Sequence, residues 1–181
     1  MLVEPKLAIR KADRGDAQRI WDIRVAAIRA QCRGFYGEEV LEAWTKGDLS
    51  DQFVAWVESS FYVAIDGDAI VGTGAIDIES GQIDAVFIRP EYMGHGIART
   101  MMAHLEGLAV STELKVVSLS STLNAAPFYR KCGFIGETIG IYESPRGFTL
   151  DCILMTKILC RNPPHAQHCG APDALTGASD L

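Results

Sequence analysis

Nowhere in this 181-residue chain do apolar residues run on for the roughly 18 positions that a membrane-spanning helix needs. Cysteine pairing is lacking too. Cys32, Cys132, Cys152, Cys160 and Cys169 are odd in number and contain no CxxC pair, which argues against a disulfide framework. The opening stretch MLVEPKLAIRKADRGD has no continuous apolar core of the signal-peptide kind, so the expected compartment is the cytosol, where thiols stay reduced. Positive charge is in deficit as well, with 17 Lys and Arg against 23 Asp and Glu and a net charge of −6. That field repels polyanions, so neither nucleic acid nor a membrane is an expected partner, and a polyphosphate ligand would need a local basic pocket.

What is present suits one globular domain. The length allows a single real core, and 48% hydrophobic with 22% charged residues is a soluble composition. LAIRKA (7–12) alternates as an opening strand, after which Asp13 or Asp16 can cap a helix through AQRIWDIRVAAIRAQC, with Ile20, Ile23, Ala27 and Ile28 on one face. Two short helical pieces follow, in 37–47 and 49–59. FYVAID, the turn GD and AIVGTGAIDI then read as a hairpin. GQIDAVFIR is a further strand, and the helix after MGHG spaces Ile97, Met101, Leu105 and Leu108 for burial. KVVSLSS is a strand and NAAPFYRKCG a short helix, and the segments 134–144 and 148–159 form a second hairpin. Strands and helices in this order define an α+β fold rather than a doubly wound parallel sheet. Residues 160–181 show no periodicity and read as a flexible C-terminal tail to a domain spanning 1–159. Cys160, His165, His168 and Cys169 in that tail match no zinc-site spacing, so no metal is expected.

The glycines of MGHGIA sit where a strand gives way to a helix. A Walker loop is excluded, because no Gly-Lys-Ser/Thr follows at the required spacing. A dinucleotide fingerprint is excluded too, since Arg99 stands where its third glycine belongs. Two readings remain: a tight connection using glycine for its dihedral freedom, and a helix mouth whose free N–H groups bind phosphate oxygens.

VFIRPEYMGHGIA followed by LNAAPFYRKCGF resembles the GNAT superfamily of acyl-CoA-dependent N-acetyltransferases, and in particular a bacterial subgroup of small proteins within it. The resemblance extends over about residues 7–159, in element order as well as motifs. It implies a mixed, mostly antiparallel sheet splayed between strands 4 and 5 and flanked by helices. It also implies acetyl-CoA as cosubstrate and an amine as acceptor, with a homodimer as a common family assembly. On this likeness the pyrophosphate is held by main-chain N–H groups of Met93, Gly94, His95, Gly96, Ile97, Ala98 and Arg99. The family's usual Gln or Arg is replaced at Met93. Val86, Phe87 and Ile88 would pair their backbone with the pantetheine arm. Asn124, Phe128 and Lys131 complete the coenzyme set, and Asn124 is also placed to cap its helix.

Attack on a thioester needs a deprotonated amine, and a primary amine near pKa 10 is mostly protonated at neutral pH. Many relatives carry a glutamate on the fourth strand where Gln82 stands here. Asp84, which strict alternation puts on one face with Gln82, Val86 and Ile88, is therefore the expected base, directly or through water. The resemblance assigns Tyr129 as the acid that protonates the departing coenzyme thiolate. Arg29, Tyr36 and Trp44, with Tyr142 after them, are expected to line the acceptor site. The leading expectation is transfer to a small-molecule amine. A protein lysine or N-terminus as acceptor, and a non-catalytic acyl-CoA-binding module, are the alternatives.

Overall fold

The computed structural model describes residues 7–144 and 146–159. The tail assigned to 160–181, with its four possible metal ligands, lies outside the described residues. β1 (Ala8–Lys11) leads into a 3₁₀ turn at Arg14–Asp16. Asp13 caps that turn by accepting from the Gly15 N–H at 2.8 Å, and the Asp16 carboxylate reciprocates by accepting from the Asp13 N–H at 3.0 Å. The same carboxylate takes both ends of the Arg10 guanidinium, at 2.6 and 2.9 Å, so the buried charge is fully partnered. Of the two aspartates expected to cap α1, Asp13 caps the preceding 3₁₀ turn instead, and Asp16, at the N-cap of α1, makes no side-chain capping bond to that helix.

α1 (Ala17–Gln31), α2 (Glu38–Thr45) and α3 (Asp51–Ser60) follow, the last capped by Ser50, whose hydroxyl accepts from the Phe53 N–H. The remaining elements are β2 (Phe61–Asp66), β3 (Ala69–Asp77), β4 (Gln82–Ile88), α4 (Ile97–Ser111), β5 (Val116–Thr122), α5 (Ala126–Lys131), β6 (Ile135–Glu143) and β7 (Thr149–Ile158). The strands form one sheet in the order β1-β2-β3-β4-β5-β7-β6. Every pairing is antiparallel except β4 with β5. Among the described residues no helix is long and apolar enough to cross a membrane.

The sheet's two faces are covered by different helices. Met101, Met102, Leu105 and Ala109 of α4 pack with Ile76, Ile83, Ile88 and Val117, while Leu108, expected in this stripe, is only partly buried. Ile20, Ile23, Phe53 and Val57 of α1 and α3 cover the opposite face with Val63 and Ala75. A third cluster, built from Ile28, Leu41, Trp44, Leu150 and Cys152, joins α1 and α2 to β7.

Two irregularities in β4 create the functional geometry. First, β4 and β5 pair only at Gln82↔Ser118 and Ile83↔Leu119, so the edge of β4 from Asp84 to Ile88 has no strand beside it and the sheet gapes there. Gln82 fastens the closed end, its Oε1 accepting from the Ser118 hydroxyl at 2.9 Å. Second, Ala75 faces Ala85 but Ile76 faces Ile83, which leaves Asp84 as the extra residue of a β-bulge. The bulge corrects the expected alternation. Ile83, Val86 and Ile88 all pack into the α4-side cluster, whereas Ala85 and Phe87 pack on the other side. Asp84 and Gln82 therefore do not simply share a face with Val86 and Ile88.

Candidate active site

Two cavities open on either side of the gap between β4 and β5. The larger, about 730 Å³, lies at the mouth of α4 and is lined by Met93, Gly94, Gly96, Ile97, Ala98 and Arg99, with Asn124, Phe128 and Lys131 opposite. Gly94 and Gly96 have φ of +82° and +79°, and a Cβ at either would meet no atom within 4 Å. The requirement for glycine is thus a backbone requirement, because a side chain in this left-handed region is strained even where space is open. The result is a row of N–H groups from Gly94 to Arg99 with no partner among the described residues, ending where the Thr100 N–H turns back to the Gly96 carbonyl. Such a row at a helix N-terminus favours an anion. Arg99 and Lys131 add positive charge to the wall.

Some expected members fall outside this arrangement. The Met93 N–H is already donated to the Pro90 carbonyl, and the Met93 sulfur accepts from the Gln31 amide at 2.9 Å. The row therefore begins one residue later than Met93. His95 lines neither cavity; its Nδ1 sits 3.0 Å from the Met93 carbonyl. Phe87 presents itself to the other cavity rather than this one. Asn124 does not cap α5, whose N-cap is Ala125 without a side-chain bond. Its Oδ1 accepts from the Cys32 thiol instead, at 3.5 Å, which couples the loop before α5 to α1.

The smaller cavity, about 200 Å³, lies under α1 and is lined by Asp84, Arg24, Trp44, Phe87, Tyr142 and Gln82 among others. It shares Gln31, Val86, Ala125 and Tyr129 with the larger one, so the two meet there. Tyr129, 9% exposed, makes no side-chain hydrogen bond among the described residues. Burial first, and the neighbouring Cys132 thiol second, raise its pKa above the ordinary phenol value, so it stays protonated. Asp84 keeps access to solvent, yet burial of its surroundings and the nearby Asp77 push its carboxyl up to about 6. A protonated phenol and a carboxylate that ionises near neutrality, on the walls of one cavity, can respectively give and take a proton.

Trp44 and Tyr142 line this cavity. Arg29 and Tyr36 line neither. Arg29 donates to the Thr45 hydroxyl at 3.1 Å, holding α2 against α1. The Tyr36 hydroxyl donates to the Asp151 carbonyl at 2.7 Å and accepts from the Leu123 N–H at 2.9 Å, bracing β7 against the end of β5. Arg24 escaped sequence reasoning although its position carried a signal. It lies on the helical repeat Ile20, Arg24, Ala27, Gln31, a charged residue within the apolar stripe of α1.

An opened sheet, free amides at one helix mouth and a buried phenol in the gap together leave two cavities that meet at Val86 and Tyr129. Residues 57–135 match the family model of the acetyltransferase (GNAT) domain. The uncharacterized N-acetyltransferase YafP of Escherichia coli (strain K12) is 28% identical over 128 residues, covering 71% of this chain and 81% of that protein. The crystal structure of a GCN5-related N-acetyltransferase (Aminotransferase, Class-II) from Rhodopseudomonas palustris superposes with a TM-score of 0.80 at 27% identity, covering 88% of this chain and 99% of that one. The PaiA N-acetyltransferase of Thermoplasma acidophilum, solved in complex with coenzyme A, shares the fold with a TM-score of 0.65 at 16% identity, over 85% of this chain and 99% of its own. The domain match, the curated relative and the superposed structures all indicate a GNAT-family N-acetyltransferase.

Proposed function

We propose that the protein transfers acetyl from acetyl-CoA directly to the amine of a small molecule. The observation that carries this reading is the meeting of the two cavities at Val86 and Tyr129, in the gap beside β4. The diphosphate rests on the N–H row from Gly94 to Arg99, with Arg99 and Lys131 nearby, and the pantetheine arm lies along the unpaired edge of Val86 to Ile88. Ile97, Ala98, Phe128 and Asn124 close around it. The acceptor enters the smaller cavity past Trp44.

In the reaction the amine nitrogen, having lost a proton to Asp84 directly or through water, attacks the thioester carbon. The C–N bond forms, the C–S bond breaks, and the sulfur takes the Tyr129 phenolic proton as it leaves. As the adduct collapses the nitrogen sheds its second proton, through water, to the Tyr129 phenolate, and Asp84 releases its proton to solvent as products depart. The cysteines support a direct mechanism without an acyl-enzyme: burial pushes the Cys32 thiol up to about 11 and raises that of Cys132, so neither offers a thiolate at neutral pH. A 200 Å³ cavity falls below the roughly 300–1,000 Å³ of sites for drug-sized ligands, which supports a compact acceptor over a folded protein surface.

Free thiols at Cys32, Cys132 and Cys152 suit a cytosolic enzyme. We further read edge strand β6, where Ile135, Ile139 and Ile141 are about two-thirds exposed, as the surface that pairs with a second copy in a homodimer. Thiol release from acetyl-CoA, screened against amino acids, polyamines, small amines and peptides, tests the transfer. Calorimetric binding of acetyl-CoA without thiol release for any acceptor would instead favour a regulatory module.

A further inference from the structure

Arg24 is a cation without a counter-ion at the wall of the acceptor cavity. One of its terminal nitrogens donates to the Trp44 carbonyl at 3.1 Å. The other, Nη1, is buried with no hydrogen-bond partner. No carboxylate among the described residues lies within ion-pair distance of it. A second cation shares the same ring: the Arg24 and Arg146 guanidiniums each stand 4.9 Å from the Trp21 ring centroid. Arg146 likewise has no carboxylate partner among the described residues. Burial, and after it the repulsion from Arg146, bring the Arg24 pKa down to about 10, the signature of an uncompensated positive charge that still persists at neutral pH.

A buried donor without an acceptor costs stability, and a buried charge without a partner costs more. The Trp44 carbonyl and the Trp21 ring offset part of the cost of the charge, but the Nη1 donor finds no return within the fold. The cavity contains both signs in different places. Asp84 lines it with the negative charge that attracts an ammonium group, while Tyr129 and Val86 mark the end where transfer occurs. Arg24 lines the acceptor cavity and is absent from the shared wall.

We propose that Arg24 selects acceptors that carry a carboxylate as well as the amine, as an amino acid does. This rests on the reading of the smaller cavity as the acceptor site. The carboxylate takes the open donors of the guanidinium, and the amine is thereby turned toward Asp84 and the thioester. Trp44, Phe87 and Tyr142 supply apolar wall for the skeleton between the two charges. Arg24 is a specificity-determining residue and moves no proton in the reaction.

The test compares matched probes on the full chain: free α-amino acids, their carboxamides and their decarboxylated amines. Each is assayed for thiol release with acetyl-CoA and for binding by ligand-observed NMR. The expected result is an acid favoured over its carboxamide by at least about tenfold in KM. Arg24→Gln should bring that ratio close to one, and Arg24→Lys should restore part of it. Calorimetry with acetyl-CoA reports that each variant is folded. Carboxamides turned over as well as acids by the unaltered protein would overturn the proposal, as would full discrimination in a folded Arg24→Gln. Acids that bind selectively but release no thiol would sink the transfer reading while leaving the carboxylate site standing. No binding and no release by any probe would overturn both.

Discussion

The larger cavity takes its defining groups from one continuous segment, residues 94–99 at the mouth of α4, and those groups are main-chain N–H donors. The smaller takes side chains from α1, α2, α3, β2, β4, β5, α5, β6 and β7, brought together only by the finished fold. A backbone donor survives substitution of its own side chain, provided the dihedrals hold. A side-chain donor does not. On the proposed reading, the contrast separates the grip on the coenzyme, carried by backbone, from the choice of acceptor, carried by side chains.

Tyr129 stands on both walls, and the sharpest cut through the comparison is made there. Tyr129→Phe should lower turnover about 100-fold, the lower end of what a positioned acid contributes, while acetyl-CoA affinity measured by calorimetry stays within about twofold. Unchanged turnover would remove the acid role. Gly96→Val attacks the coenzyme side alone. Forcing a β-branched residue to the φ of +79° strains the helix mouth by about 1–2 kcal/mol or more, and acetyl-CoA affinity should fall roughly tenfold, read by calorimetry. An unaltered affinity would mean that the N–H row does not carry the diphosphate.

Asp84→Asn attacks the acceptor side. With a carboxyl that titrates near 6, kcat/KM of the native protein should rise with pH through about 6, and the variant should be severalfold slower and lose that limb. The same shift acts on stability, with the opposite direction in pH. Because the folded carboxyl ionises at about 6 rather than the ordinary 3.8, folding favours its protonated form. Its contribution is full below about 3.8 and is lost as pH rises through about 6. The variant should therefore melt higher than the native protein at pH 8 and alongside it near pH 3.5; a lower melting point at pH 8 would contradict the assigned cause. The smallest effect belongs to Asn124→Ala. Losing the Cys32 contact and one wall group should change acetyl-CoA affinity by no more than about threefold, since the main-chain row is untouched.

The same contrast explains how much could be read before folding. The coenzyme side leaves a local mark: glycines at 94 and 96 are needed for dihedrals, whatever surrounds them, so their spacing is visible in one dimension. Element order was visible for the same reason, since caps, turns and apolar periods are local. Asn124 misled because Ala125 and Pro127 already start α5 without it, and its amide is drawn to Cys32, which is distant in sequence. Arg29 and Tyr36 looked like acceptor contacts because they lie in the segment where the resembled family selects substrates; their partners, Thr45, Asp151 and Leu123, show that they hold the framework. The Asp84 bulge depends on the register of β3 against β4, which alternation within a single strand does not encode. Arg24 could have been singled out, because a charged residue inside an apolar helical stripe calls for an explanation wherever it occurs.

The supernumerary residue in β4 also sets the phase of everything upstream of it. Ile83 and Ile88 are five positions apart, an odd interval, yet they serve the same hydrophobic layer, and only the half-turn introduced at Asp84 allows it. Deleting that position, unlike replacing it, would rotate Ile83 out of its layer and carry Gln82 away from Ser118. The Asp84 carboxylate and the latch of the splayed sheet are thus bound to one another by a single inserted peptide unit.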